Sequence, residues 1–126
     1  MAAGASAAPD SVLAPEIVEQ LRALAQAGNA GLLDKLQASF ARDTPERIQA
    51  LRAAVAAGDA DAIAFNIHTL KGSAANLGAV QVVEACRRIE SLAAGADAGA
   101  VEPLLVELEQ GAARAQAELT RLAQTG

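Results

Sequence analysis

Val101, Leu105, Leu108, Ala112, Ala115, Leu119 and Leu122 recur in alternating steps of four and three. That spacing gathers the apolar side chains on one face of a helix and would scatter them over both faces of a strand. An amphipathic helix of this length must bury its stripe against neighbouring elements, and no strand-like alternation of any length appears elsewhere to supply a sheet. Composition agrees. Hydrophobic residues make up 52% of the 126, but aromatics only 2%, both of them Phe, and alanine supplies much of the remainder. Abundant Ala, Leu, Glu, Gln and Arg favour helices packed closely through small side chains. The expected fold is all-α.

The other helices are marked by shorter stripes. Pro15 suits a first turn, and Ile17, Leu21 and Leu24 form a stripe that ends before Gly28. Asn29 is a candidate cap for the next segment, where Leu33, Leu36 and Phe40 share a face. Asp43-Thr44-Pro45-Glu46 resembles a helix start. Yet Ile48, Leu51 and Val55 lie only about 60° out of phase with the preceding stripe, so one long helix bent at Pro45 is preferred over two. Gly58 stops it, and Asp59 caps the helix that follows. Gly78 ends that helix, and Val82, Val83, Cys86, Ile89 and Ala93 repeat at helical spacing until Gly95. In the last segment Pro103 suggests a regular helix from near Glu102 rather than Asp97, and Gly111 permits a close neighbour. Short connections then predict an antiparallel four-helix bundle with an additional N-terminal helix, over residues 14–124. Residues 1–13 are expected to form a disordered tail.

Several functions are excluded early. A net charge of −5 argues against a general nucleic-acid binder. No apolar run is long enough for a transmembrane helix, and Met1 to Ala8 lack the features of a signal peptide, so a cytoplasmic location is expected. A single cysteine, Cys86, excludes an internal disulfide and reads as a small buried hydrophobe. One histidine and one cysteine cannot build a tetrahedral metal site. No phosphate-binding Gly-x-x-x-x-Gly-Lys-Ser/Thr loop is present.

The lone histidine lies in His68-Thr69-Leu70-Lys71-Gly72-Ser73-Ala74-Ala75-Asn76-Leu77-Gly78. Ile63, Ile67, Leu70, Ala74 and Leu77 cluster on one side of this helix and face the core. His68 is rotated by about 140° from the centre of that stripe and is expected to be exposed. Lys71 and Gly72, three and four residues on, are its helical neighbours. Lys71 falls at the flank of the stripe, where its stem lies on apolar surface while the ammonium reaches solvent. Glycine costs about 1 kcal/mol against alanine inside a helix, so Gly72 calls for a reason. Phe65 projects beside His68 with Ala64 and Ala75, a shallow patch without a cleft, fit for a partner protein rather than a small substrate.

These residues resemble the histidine-containing phosphotransfer (HPt) domains of two-component phosphorelays. The motif His68-Thr69-Leu70-Lys71-Gly72-Ser73 with Leu77-Gly78-Ala79 carries the resemblance. It extends through Phe40, Asp43, Pro45, Leu51 and Gly58-Asp59 upstream, and through Cys86, Ile89 and Glu90 downstream. Ile67 departs from the family's more usual alanine. The resemblance implies a four-helix bundle with the histidine exposed midway along one helix. It implies that His68 accepts a phosphoryl group from the aspartyl phosphate of a response-regulator receiver domain and passes it to another receiver. Lys71 would stabilise charge and Gly72 would give the receiver clearance, while Ser73 and Asn76 could orient the phosphate or the imidazole. No cofactor is expected on this chain, since Mg²⁺ would come with the receiver. The chain would be a covalent phosphoryl carrier rather than a kinase with its own ATP site, a monomer, with a hybrid sensor kinase as a further partner. Two alternatives stay open: a phosphoacceptor fed by a separate ATP-dependent histidine kinase domain, and a helical docking module that is never phosphorylated.

Overall fold

A computed structural model describes residues 12–28, 31–93 and 98–125. They form five helices, α1 (Pro15–Gln26), α2 (Leu32–Ala57), α3 (Ala60–Asn76), α4 (Val80–Ala93) and α5 (Ala98–Thr125), with no strand among the described residues. Helix α2 packs against α3 and α5, and α4 packs against the same two, so these helices close a ring, while α1 lies mainly on α2. Inside the ring, Leu51, Ile67, Val82, Cys86, Ile89, Leu105, Leu108, Leu119 and Leu122 are fully buried. Every member of the α5 stripe that the spacing singles out is buried. No described helix is long and apolar enough to cross a membrane.

Helix α2 runs unbroken through Pro45, as the phase of its two stripes predicts. Proline there removes one backbone hydrogen bond, but Phe40, Thr44, Ile48 and Leu51 are buried to either side of it. Burial of that stripe outweighs the local penalty. Asp43, which reads like a cap in sequence, lies mid-helix, its carboxylate accepting hydrogen bonds from Arg42 (3.0 Å) and Ser39 (3.1 Å). The Asn29 cap lies outside the described residues, and the residue preceding the first turn of α2 is Gly31.

Three expectations about helix ends need correction. Leu13, assigned to the tail, is buried in the core, so the packed part of the chain reaches back beyond residue 14. The expected tail from residue 1 to 11 lies outside the described residues. Leu24, assigned to the inner stripe of α1, is 49% exposed. Helix α5 begins at Ala98, with Pro103 inside it. Burial of Val101 and Leu104 extends the helix upstream of the point where proline alone would start it.

The turns set how closely the helices approach. Gly58 (φ 66°) and Gly78 (φ 70°) adopt the left-handed conformation. After α3, the Gly78 amide donates to Ala75 and the Ala79 amide to Ala74, closing the helix with paired reverse bonds. The start of α1 docks on this turn: the Ala14 amide donates to the Gly78 carbonyl at 2.7 Å. A Cβ on Gly78 would lie 2.9 Å from Ile17 Cβ. Gly111 faces the start of α4, where a Cβ would meet Gln81 Cβ at 3.4 Å, the close approach expected of it.

Candidate functional site

Helix α3 is capped by Asp59, whose Oδ1 accepts from the Ala62 amide at 3.1 Å. Its inward face is Ile67, Leu70, Ala74 and, just past the helix, Leu77, all buried, with Ile63 half-buried. These contacts fix the rotation of the helix. His68 is therefore exposed, and among the described residues no hydrogen bond engages its ring. Ala64, Phe65, Gly72 and Ala75 are exposed with it, within about 60° of its direction around the helix. Phe65 is 62% exposed. His68 lines none of three hollows on the molecule, although Ala75 borders one of them.

A cation sits on each side of this stripe. Lys71 leans toward α4, where its Nζ lies 2.9 Å from Glu90 Oε1. The ammonium is held at the surface by a carboxylate, a partner the spacing alone does not show. The pair rests on buried Cys86, one turn before Glu90. Burial pushes the Cys86 thiol up to about 12, with the Lys71 charge opposing that shift and the Glu90 charge adding to it.

On the other side Arg47 reaches across from α2. Its Nη1 donates to Asn66 Oδ1 at 3.2 Å, and its guanidinium carbon lies 5.6 Å from the centre of the Phe65 ring. Asn66 is 6% exposed, and its Nδ2 donates to the Ala62 carbonyl at 2.8 Å, so both ends of the amide are satisfied. Sequence reasoning missed Arg47 and Asn66. A polar amide beside the inward stripe of α3 was the available signal, since a buried amide demands partners.

Gly72 has an ordinary helical backbone, and a Cβ built on it meets nothing within 4 Å. Neither backbone strain nor packing inside the chain requires glycine here. Ser73 and Asn76 are exposed but make no hydrogen bond to His68. They border a hollow with Leu21, Leu24, Leu32, Leu36 and Phe40, and Ser73 is turned about 140° around the helix from the imidazole. The structure thus gathers His68, Lys71, Gly72, Ala64, Phe65 and Ala75, and sets Ser73 and Asn76 aside. Among the described residues no group of three or more His, Cys, Asp or Glu side chains is placed to hold a metal ion.

The family model described as the Hpt domain matches residues 35–125. The chain belongs to the Hpt domain family. Among solved structures it is similar to histidine-containing phosphotransfer protein B (HptB) from Pseudomonas aeruginosa PAO1, with a TM-score of 0.77 and 26% identity. That match covers 95% of this chain and 99% of the other. No curated protein matches. The Hpt match begins inside α2, so α1 lies outside the family core, and the HptB likeness extends over nearly all of the chain.

Proposed function

We propose that this Hpt-family chain is a phosphorelay intermediate that carries a phosphoryl group on His68. The observation that carries the reading is the environment of the imidazole: exposed, free of hydrogen bonds, with Lys71 to one side and empty space over Gly72. The donor is a receiver domain bearing an aspartyl phosphate. An unprotonated ring nitrogen of His68 attacks phosphorus, the bond from phosphorus to the aspartate oxygen breaks, and a carboxylate remains on the receiver. The other ring nitrogen keeps its proton, so no base on this chain is needed. Passing the group to a second receiver's aspartate reverses these steps.

In-line phosphoryl transfer depends on positioning and on neutralising charge. The buried stripe of α3 holds the imidazole direction, Lys71 supplies positive charge, and the missing side chain at Gly72 admits the partner's active site. Phe65, with Arg47 over its ring, and Ala64 and Ala75 form the docking surface. Mg²⁺ enters with the receiver's acidic pocket. A receiver attached to a hybrid sensor kinase fits as donor as well as a freestanding one. The ring of helix contacts and the short turns support an antiparallel four-helix bundle, α2 to α5, with α1 added against α2 and the Gly78 turn.

The test is transfer from receiver domains charged with acetyl phosphate, with His68→Gln alongside. Acid-labile label that requires His68 is the expected result. Label in His68→Gln, with its helical spectrum intact, would overturn the assignment. Label obtained only from a separate ATP-dependent kinase domain would move the chain to the kinase-fed class.

A further inference from the structure

The ion pair between Lys71 and Glu90 has a consequence for a phosphorylated His68. Lys71 is the cation one helical turn from the imidazole, yet its ammonium sits 2.9 Å from the Glu90 carboxylate on the neighbouring helix. The lysine side chain is 31% exposed and the glutamate side chain 52%. The pair is therefore wet enough to exchange partners and dry enough to matter, lying over Cys86, which is completely buried. A phosphoryl group on His68 would bring about 1.5 to 2 negative charges to within reach of the same ammonium. Lysine has a flexible four-carbon stem and a single compact charge, so full engagement of one anion weakens its hold on the other. Arg47 lacks that freedom, since its guanidinium is already committed to Asn66 and stacked on Phe65.

We propose that Glu90 is a positioning residue that competes with the phosphoryl group on His68 for the Lys71 ammonium, and so limits how strongly this chain retains phosphate. The inference rests on His68 being the phosphoacceptor. An intermediate must release what it accepts. A lysine with no competing carboxylate would hold the phosphorylated state more tightly and make onward transfer less favourable. Glu90 acts on the imidazole only through Lys71, and its effect is confined to the loaded state.

The chain can be loaded without any receiver by using phosphoramidate, whose phosphorus–nitrogen bond breaks to release ammonia as the bond to His68 forms. Phosphohistidine lifetime is then followed at neutral pH for wild type, Glu90→Gln, Lys71→Ala and the double variant, with thermal melts as a folding control. Glu90→Gln is expected to lengthen the lifetime about two- to five-fold, the range an exposed ion pair supplies. It should also shift the equilibrium with a charged receiver toward phosphohistidine by a similar factor. Both effects should vanish in the Lys71→Ala background and shrink at high salt. A Glu90→Gln lifetime as short as that of Lys71→Ala would overturn the proposal, because Glu90 would then support the lysine rather than compete for it. An effect that persists in the Lys71→Ala background would overturn it too. Absence of any His68-dependent label in wild type would overturn the phosphoacceptor reading itself, a result distinct from both.

Discussion

Adding a methyl group at position 72 separates stability from activity. Gly72 sits in ordinary helical conformation with nothing within 4 Å of where a Cβ would be. Gly72→Ala should therefore stabilise the fold by about 0.5–1 kcal/mol, read as a higher melting temperature. Gly72→Leu should keep the fold yet slow transfer from a receiver, and unchanged transfer would remove the clearance argument. Cys86 gives a second expectation at this scale. With its thiol raised to about 12 and fully buried, the thiolate is scarce at neutral pH, so alkylation should follow global unfolding and not an intrinsic thiol rate. Rapid labelling of the folded chain would contradict the packing. His68 exposure was legible from the helical wheel because the opposite stripe is strongly apolar. Ser73 shows the limit of reading from adjacency, since five residues turn its side chain about 140° from the imidazole.

At the scale of elements, Gly58 and Gly78, both left-handed, should respond differently to the same change. A Cβ on Gly58 meets nothing within 4 Å, so Gly58→Ala should cost only the conformational strain, about 1–2 kcal/mol. Gly78→Ala adds a contact at 2.9 Å with Ile17, and displacing α1 should cost about 1–3 kcal/mol more. Equal losses in chemical denaturation would mean that α1 is not tightly seated on the turn. The glycine stops and the Asp59 cap were readable because their causes are local. The boundary at Pro103 was not: it carries a start signal, yet burial of Val101 and Leu104 overrides it, whereas at Pro45 the phase of the flanking stripes already pointed to one helix. Where a stripe continues across a proline in phase, packing decides.

Across the whole molecule, the helices are tied by pairs that no periodicity could reveal. Arg52 on α2 donates to Glu102 at 3.0 Å and Glu109 at 2.9 Å on α5, and Arg88 on α4 donates to Glu107 at 2.8 Å. Such partners depend on the relative slide of two helices, and spacing within one helix is blind to it. The same blindness hid Arg47 from Asn66. The Arg52 guanidinium holds the Glu109 carboxyl below its ordinary 4.5, so the folded state favours the ionised form. That contribution is present above about pH 4.5 and is lost as pH falls through the depressed folded value. Melting temperature should accordingly fall with acidification below that pH, and Arg52→Gln should flatten the fall; an unchanged slope would show that the pair is thermodynamically silent. Core truncation at Leu108, fully buried in the ring, should cost about 2–5 kcal/mol in Leu108→Ala, far more than any surface pair.

The imidazole projects from a helix whose opposite face is locked into the core, and no side chain among the described residues hydrogen-bonds it. On the proposed reading, a phosphoryl group on it would displace nothing that is packed. Empty and loaded molecules should share one shape and differ in charge, with closely matching amide exchange along α3. A partner that tells the two apart must then read a local potential rather than a refolded surface. On that reading the message would be written in electrostatics rather than in shape.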